Sequence, residues 1–128
     1  MVNQETAMLA YARLARLSHE RQQPLGRDRF LVLTGASACY AGWPEIADVC
    51  RRLIVSHNPR HFLADSASFA DALRDPANRG YFDRANRLCS FEQAEHLLAP
   101  LGGVPQLPAD STAEAVVRAD LDALRAPK

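Results

Sequence analysis

Apolar residues recur along most of this chain at three- and four-residue intervals, the period of helices with a buried face. The clearest stretch runs from Pro44 to Ser56. Ile46, Val49, Cys50, Leu53 and Ile54 share one side there, and Glu45, Asp48, Arg51 and Arg52 are expected on the solvent side. Ahead of it, Asn3 is placed to cap a helix reaching about Gln22, with Met8, Leu9, Tyr11, Ala12, Leu14, Ala15 and Leu17 as adjacent apolar stripes. Gln23-Pro24-Leu25-Gly26 breaks that pattern, and Asp28 is placed to cap a second helix from Arg29 to about Ala41. Gly42-Trp43-Pro44 then reads as a stop, a corner and a start, because proline at a first-turn position gives up an N–H that has no helical partner anyway. Asn58-Pro59 ends the third helix.

Downstream the periodic stretches shorten. Asp65 or Ser66 is a candidate cap for a helix carrying Phe69, Ala70 and Leu73 up to Asp75-Pro76, and another segment runs from about Asn78 to Leu88 across Gly80. Ser90 and Gln93 have the spacing of a capping box and open a helix through Leu98. Pro100, Gly102, Gly103, Pro105 and Pro108 lie in a stretch without periodicity. Ser111 and Glu114 repeat the capping-box spacing ahead of Ala115, Val116, Ala119, Leu121 and Leu124. No segment alternates apolar and polar residues as a half-exposed strand does. Phe30-Leu31-Val32-Leu33-Thr34 is a short apolar run whose periodicity does not separate helix from strand. The expected fold is all-α, a small helical bundle around a central antiparallel helix hairpin (28–57). Residues 1–101 form its helical domain, 102–110 a Pro/Gly linker, and 111–128 a C-terminal helix that docks loosely or packs in trans.

Composition narrows the class. The 128 residues fit one domain, and a 48% hydrophobic content supplies a core without disulfides or an obligatory metal. Fifteen basic and fifteen acidic side chains cancel, which argues against nucleic acid as the partner. No apolar run approaches the roughly 18 residues of a membrane span. The opening Met-Val-Asn-Gln-Glu-Thr lacks the basic and then apolar pattern of a secretory signal. A soluble, cytoplasmic protein with no membrane partner and no cofactor is expected. Three widely separated cysteines, Cys39, Cys50 and Cys89, fit buried reduced thiols better than a disulfide framework. Fourteen of the fifteen basic residues are arginine. Residues 1–61 hold eight arginines against five acids, and 62–128 hold seven basic residues against ten acids, a modest asymmetry that a head-to-tail contact could use.

Two segments resemble known families. Thr34-Gly35-Ala36-Ser37 is similar to the opening of short-chain dehydrogenases, in which glycines let the backbone approach a pyrophosphate. Here Cys39 and Ala41 stand where those glycines belong and Gly42 falls one residue late, so the segment reads as a small-residue helix face. Residues 28–61 resemble one tetratricopeptide-repeat hairpin through Gly35, Gly42, Ala47 and Pro59. Ala38, Thr34 and Arg51 depart from that pattern, and no second copy stands 34 residues away. The resemblance implies protein binding without catalysis.

Chemistry-bearing clusters are sparse. Cys39, Cys50, His57 and His61 have side chains that zinc accepts, but Cys50 and His57 lie about 10 Å apart along one helix and Asn58-Pro59 interrupts the face joining the two histidines. Glu92 and Glu95 beside His96 read as a solvated helix face. Tyr40 and Trp43 at the hairpin corner have the character of an aromatic anchor. Arg51, Arg52 and Arg60 form a locally basic edge suited to an acidic partner or a phosphate. The function these features point to is a non-enzymatic protein-interaction module using Tyr40, Trp43, Arg51, Arg52 and Arg60. The alternative is a metal- or thiol-dependent protein using Cys39, Cys50 and the nearby His57 and His61.

Overall fold

A computed structural model describes residues 3–107 and 109–125, and every regular element among them is helical. Helix α1 (Gln4–Glu20) starts where the side chain of Asn3 accepts the backbone N–H groups of Glu5 and Thr6. Ala7 to Ala12, Leu14 and Ala15 are all buried, too many for a single stripe. The reason is position: α1 touches α2 over the largest surface in the molecule and also packs against α6 and α7. Helix α2 (Pro24–Ala41) begins five residues before the predicted start. Pro24 opens it at the first helical position, where its fixed φ suits a helix. Asp28 therefore lies inside α2, paired with Arg27 at 3.1 Å, and caps nothing. The ambiguous run around Leu31, Val32 and Leu33 is helical, its apolar side chains buried by neighbours on more than one side. Thr34 joins them by donating its hydroxyl to the Phe30 carbonyl at 2.7 Å.

The corner after α2 is a hydrogen-bonded helix end. Gly42 takes a left-handed φ of 88°, and the Trp43 N–H reaches back to the Ala38 carbonyl at 2.8 Å. Helix α3 (Pro44–His57) follows, again with proline in its first turn. Its outer face is only partly the solvated one predicted. Glu45 and Arg52 are exposed, but Asp48 and Arg51 are half-buried. Asp48 accepts the Phe69 N–H at 3.0 Å; Arg51 donates from Nε to the Leu63 carbonyl, also at 3.0 Å, and from a terminal nitrogen to the Ser66 carbonyl. The stretch between α3 and α4 offers few backbone partners of its own, so two charged side chains of α3 supply them.

Helix α4 (Phe69–Arg74) is capped by Ser68, two to three residues past the predicted caps. Its Phe69 is fully buried with the ring against Gly35 of α2: a Cβ there would sit 2.3 Å from a ring carbon. The absence of a side chain at position 35 thus makes room for α4. Helices α5 (Arg79–Leu88) and α6 (Phe91–Leu98) meet at a corner where Ser90 and Gln93 form the predicted capping box. That corner is fixed to α1 by the Tyr11 hydroxyl, which donates to the Cys89 carbonyl at 2.8 Å. Burial pushes the Tyr11 phenol up to about 12, so it keeps the proton it donates.

Helix α7 (Ala113–Asp122) lies in the segment that follows the Pro/Gly stretch. It packs on α1 and α3 of its own chain and buries Ala113, Val117 and Leu121, with Leu124 just beyond. Asp120, its side chain only 2% exposed, pairs with Arg13 at 3.0 Å and Arg16 at 2.9 Å on α1. The cap is Thr112, not Ser111, because Thr112 is the residue whose side chain accepts the Ala115 N–H. Residues 126–128 of the predicted segment lie outside the described residues. No helix of the described residues is long and apolar enough to cross a membrane.

Candidate functional site

The five residues expected to form an interaction edge are dispersed. Tyr40 is 66% exposed near the end of α2. Trp43 is half-buried against the core, and its indole N–H donates to the Glu5 carboxylate at 3.3 Å, so it serves the corner as a structural residue. Arg51 is consumed by the backbone carbonyls of Leu63 and Ser66. Arg52 and Arg60 are exposed. Trp43 precedes α3 and Arg60 follows it, and the fourteen residues of that helix separate the two by about 20 Å. Of the basic edge, Arg51 and Arg52 lie in the middle of that rod and Arg60 lies beyond the end away from the aromatic corner.

The metal or thiol constellation does not assemble either. Among the described residues no three His, Cys, Asp or Glu side chains come together as a cation site. Burial pushes the Cys39 thiol up to about 11, with Asp48 adding to the effect, and pushes the fully enclosed Cys50 thiol further up. Both are protonated at neutral pH and poor nucleophiles. The His57 ring lies 6.1 Å from that of His19, whereas His61 stacks on Phe62 and accepts the Leu63 N–H at its Nδ1. Burial lowers the pKa of both His57 and His61.

A different region has the form of a site. α2, α5 and α6 enclose an open groove of about 860 Å³, lined by Arg29 and Phe30 from α2, Arg87 and Leu88 from α5, Cys89 and Ser90 at the corner, and Glu92, Gln93, His96 and Leu97 from α6. A smaller hollow of about 260 Å³ continues it past Leu25, Asp28, His61, Tyr81, Arg84 and Ala85, sharing Arg29 and Leu88 with the first. Helical spacing explains the grouping. Leu25 and Arg29, Arg84 and Leu88, and Gln93 and Leu97 are pairs four residues apart, and each pair presents one face. Leu25 is 82% exposed, Leu88 59% and Leu97 48%, in a chain that packs most of its large apolar side chains inside. Beside the hollow, His61 stacks on Phe62 and Tyr81 meets both rings edge-on, with His61 Nε2 3.3 Å from the Tyr81 hydroxyl.

Three arginines and two carboxylates line the groove and its hollow. Arg29, Arg84 and Arg87 form no ion pair among the described residues, whereas Asp28 is already engaged by Arg27. Glu92 is the other carboxylate in the lining. Sequence reasoning missed this site because it placed Leu25 in a turn and Arg29 at a helix start. Had Pro24 been read as a first-turn residue, as Pro44 was, the Leu25/Arg29 face would have been visible. In comparisons with protein-family models, curated proteins and solved structures, nothing matches this chain.

Proposed function

We propose that this chain is a non-enzymatic protein-interaction module whose docking face is the groove between α2, α5 and α6. The observation that carries the proposal is the convergence of Leu25, Leu88 and Leu97, the three exposed leucines of the groove and its hollow, with Arg29, Arg84 and Arg87, which form no ion pair among the described residues. Arginine is enriched at protein interfaces, and apolar side chains left exposed together in a groove rimmed by polar residues mark surface that a partner covers. The likeness of residues 28–61 to a tetratricopeptide hairpin points the same way. Tyr40, Arg52 and Arg60 remain exposed but isolated, and Trp43 and Arg51 support the fold.

The test is site-specific photocrosslinking in cells that make the protein, with the reactive group at position 88 and, as the control, at position 52. A single protein crosslinked from position 88 and not from position 52 is expected. Identical products from both positions, or none from position 88, would remove the groove as the docking face.

A further inference from the structure

Resting on the interaction role just proposed, we infer that the occupant of the groove is an acidic segment of another protein that sets carboxylates beside large apolar side chains. Three observations select that chemistry. The exposed leucines favour an apolar surface, since covering them removes apolar area from water. Arg29, Arg84 and Arg87 flank those leucines and outnumber the carboxylates of the lining, Asp28 and Glu92; none of the three forms an ion pair among the described residues, and a guanidinium takes a carboxylate through two parallel hydrogen bonds. The site is also a cleft between helices, shaped to seat a narrow element, and among the described residues there is no strand edge to which an extended peptide could add.

The same features weigh against other occupants. A bilayer presents a flat, anionic face, whereas Leu88 and Leu97 line a concavity that also contains Glu92. Nucleic acid offers phosphates but nothing to cover three leucines. A second copy of this chain would bring its own arginines to the same cleft in a symmetric pairing.

The test is a titration of the isotope-labelled full chain, followed by amide NMR, with three sixteen-residue peptides of one helical pattern. One combines leucine with glutamate, one leucine with lysine, and one alanine with glutamate. Binding of the Leu/Glu peptide is expected, with shifts confined to residues around Leu25, Arg29, Leu88 and Leu97. Affinity should fall as salt rises, and the Arg29→Glu/Arg87→Glu variant should bind about tenfold or more weakly with its spectrum otherwise preserved. Equal binding of the Leu/Lys peptide at the groove would overturn the acidic assignment while leaving the docking face standing. Failure of all three peptides to perturb the groove would overturn the inference outright, as would tighter association with phosphatidylglycerol vesicles. Sedimentation that depends on protein concentration in the parent chain, and not in Leu88→Glu, would replace the foreign segment with a second copy. Crosslinking from position 88 reports separately on the docking face, so the two failures are distinguishable.

Discussion

The first three helices and the short helices α4 to α6 solve the same problem differently. α1 and α2 are seventeen and eighteen residues long, and with α1, α3, α4 and α5 all packed on α2 even the periodless run at Leu31–Leu33 is buried. Among the described residues α5 buries only Ala85, and α6 only Ala94 and Leu98, so Leu88 and Leu97 stay at the surface beside arginines that form no ion pair. Long rods with small contact residues close a core, whereas short rods meeting at corners leave clefts. Stability should therefore reside in the first region and recognition in the second, and substitutions can separate the two.

The largest effect is expected where α4 enters the long-helix core. Phe69→Ala should cost about 3–5 kcal/mol in chemical denaturation, the usual range for emptying a buried aromatic site. Gly35→Ala alone should cost about 1–3 kcal/mol by forcing a methyl group into the Phe69 ring. The double variant should then be less destabilised than the sum, because the clash disappears with the ring. Additive losses would show that the two residues do not share that space.

Next comes Asp120. Replacing it with alanine should lower stability by about 2 kcal/mol, since Arg13 and Arg16 are exposed enough to regain water once the buried carboxylate is gone. A loss within experimental error would mean that α7 is held by its apolar side chains alone.

Protonation provides a smaller and directional effect. His57 and His61 have folded-state pKa values below the ordinary 6.5, so the unfolded chain binds protons more readily than the folded one. Stability should be full above about pH 6.5, fall as the pH drops through that value, and level off once both states are protonated. His61→Asn keeps a side-chain acceptor for the Leu63 N–H and removes one titrating group, so its denaturation midpoints should vary less with pH between 5 and 7. An unchanged slope would place the pH dependence elsewhere. At the bottom of the range, Leu88→Glu should alter stability by no more than about 0.5 kcal/mol, as surface changes do, while changing the photocrosslinked products.

Much of the fold was legible from local chemistry. Asn3, Gly42-Trp43-Pro44, Asn58-Pro59 and the Ser90/Gln93 box all act at short range, and the structure uses each where the chain places it. What was illegible depends on distant partners. Asp48 and Arg51 carry the pattern of a solvated face, and only the path of residues 62–69 beside α3 makes them internal. Trp43 looks like an anchor until Glu5, thirty-eight positions earlier, reaches its indole. The groove was hidden for the same reason: Leu25 and Leu97 are remote in the chain, and nothing local announces that their helices border one cleft.

The hydroxyl of Tyr11 rivets the floor of that cleft to the most enclosed rod in the molecule. Splaying α5 from α6 at Cys89 would strand a carbonyl oxygen away from water, so the two walls are held at a set spacing before any visitor arrives. The partner proposed for the groove would then meet a finished mould, and little of its affinity would be lost to ordering the receptor. Selectivity in such a mould comes from rejecting the wrong shape, not from adapting to many.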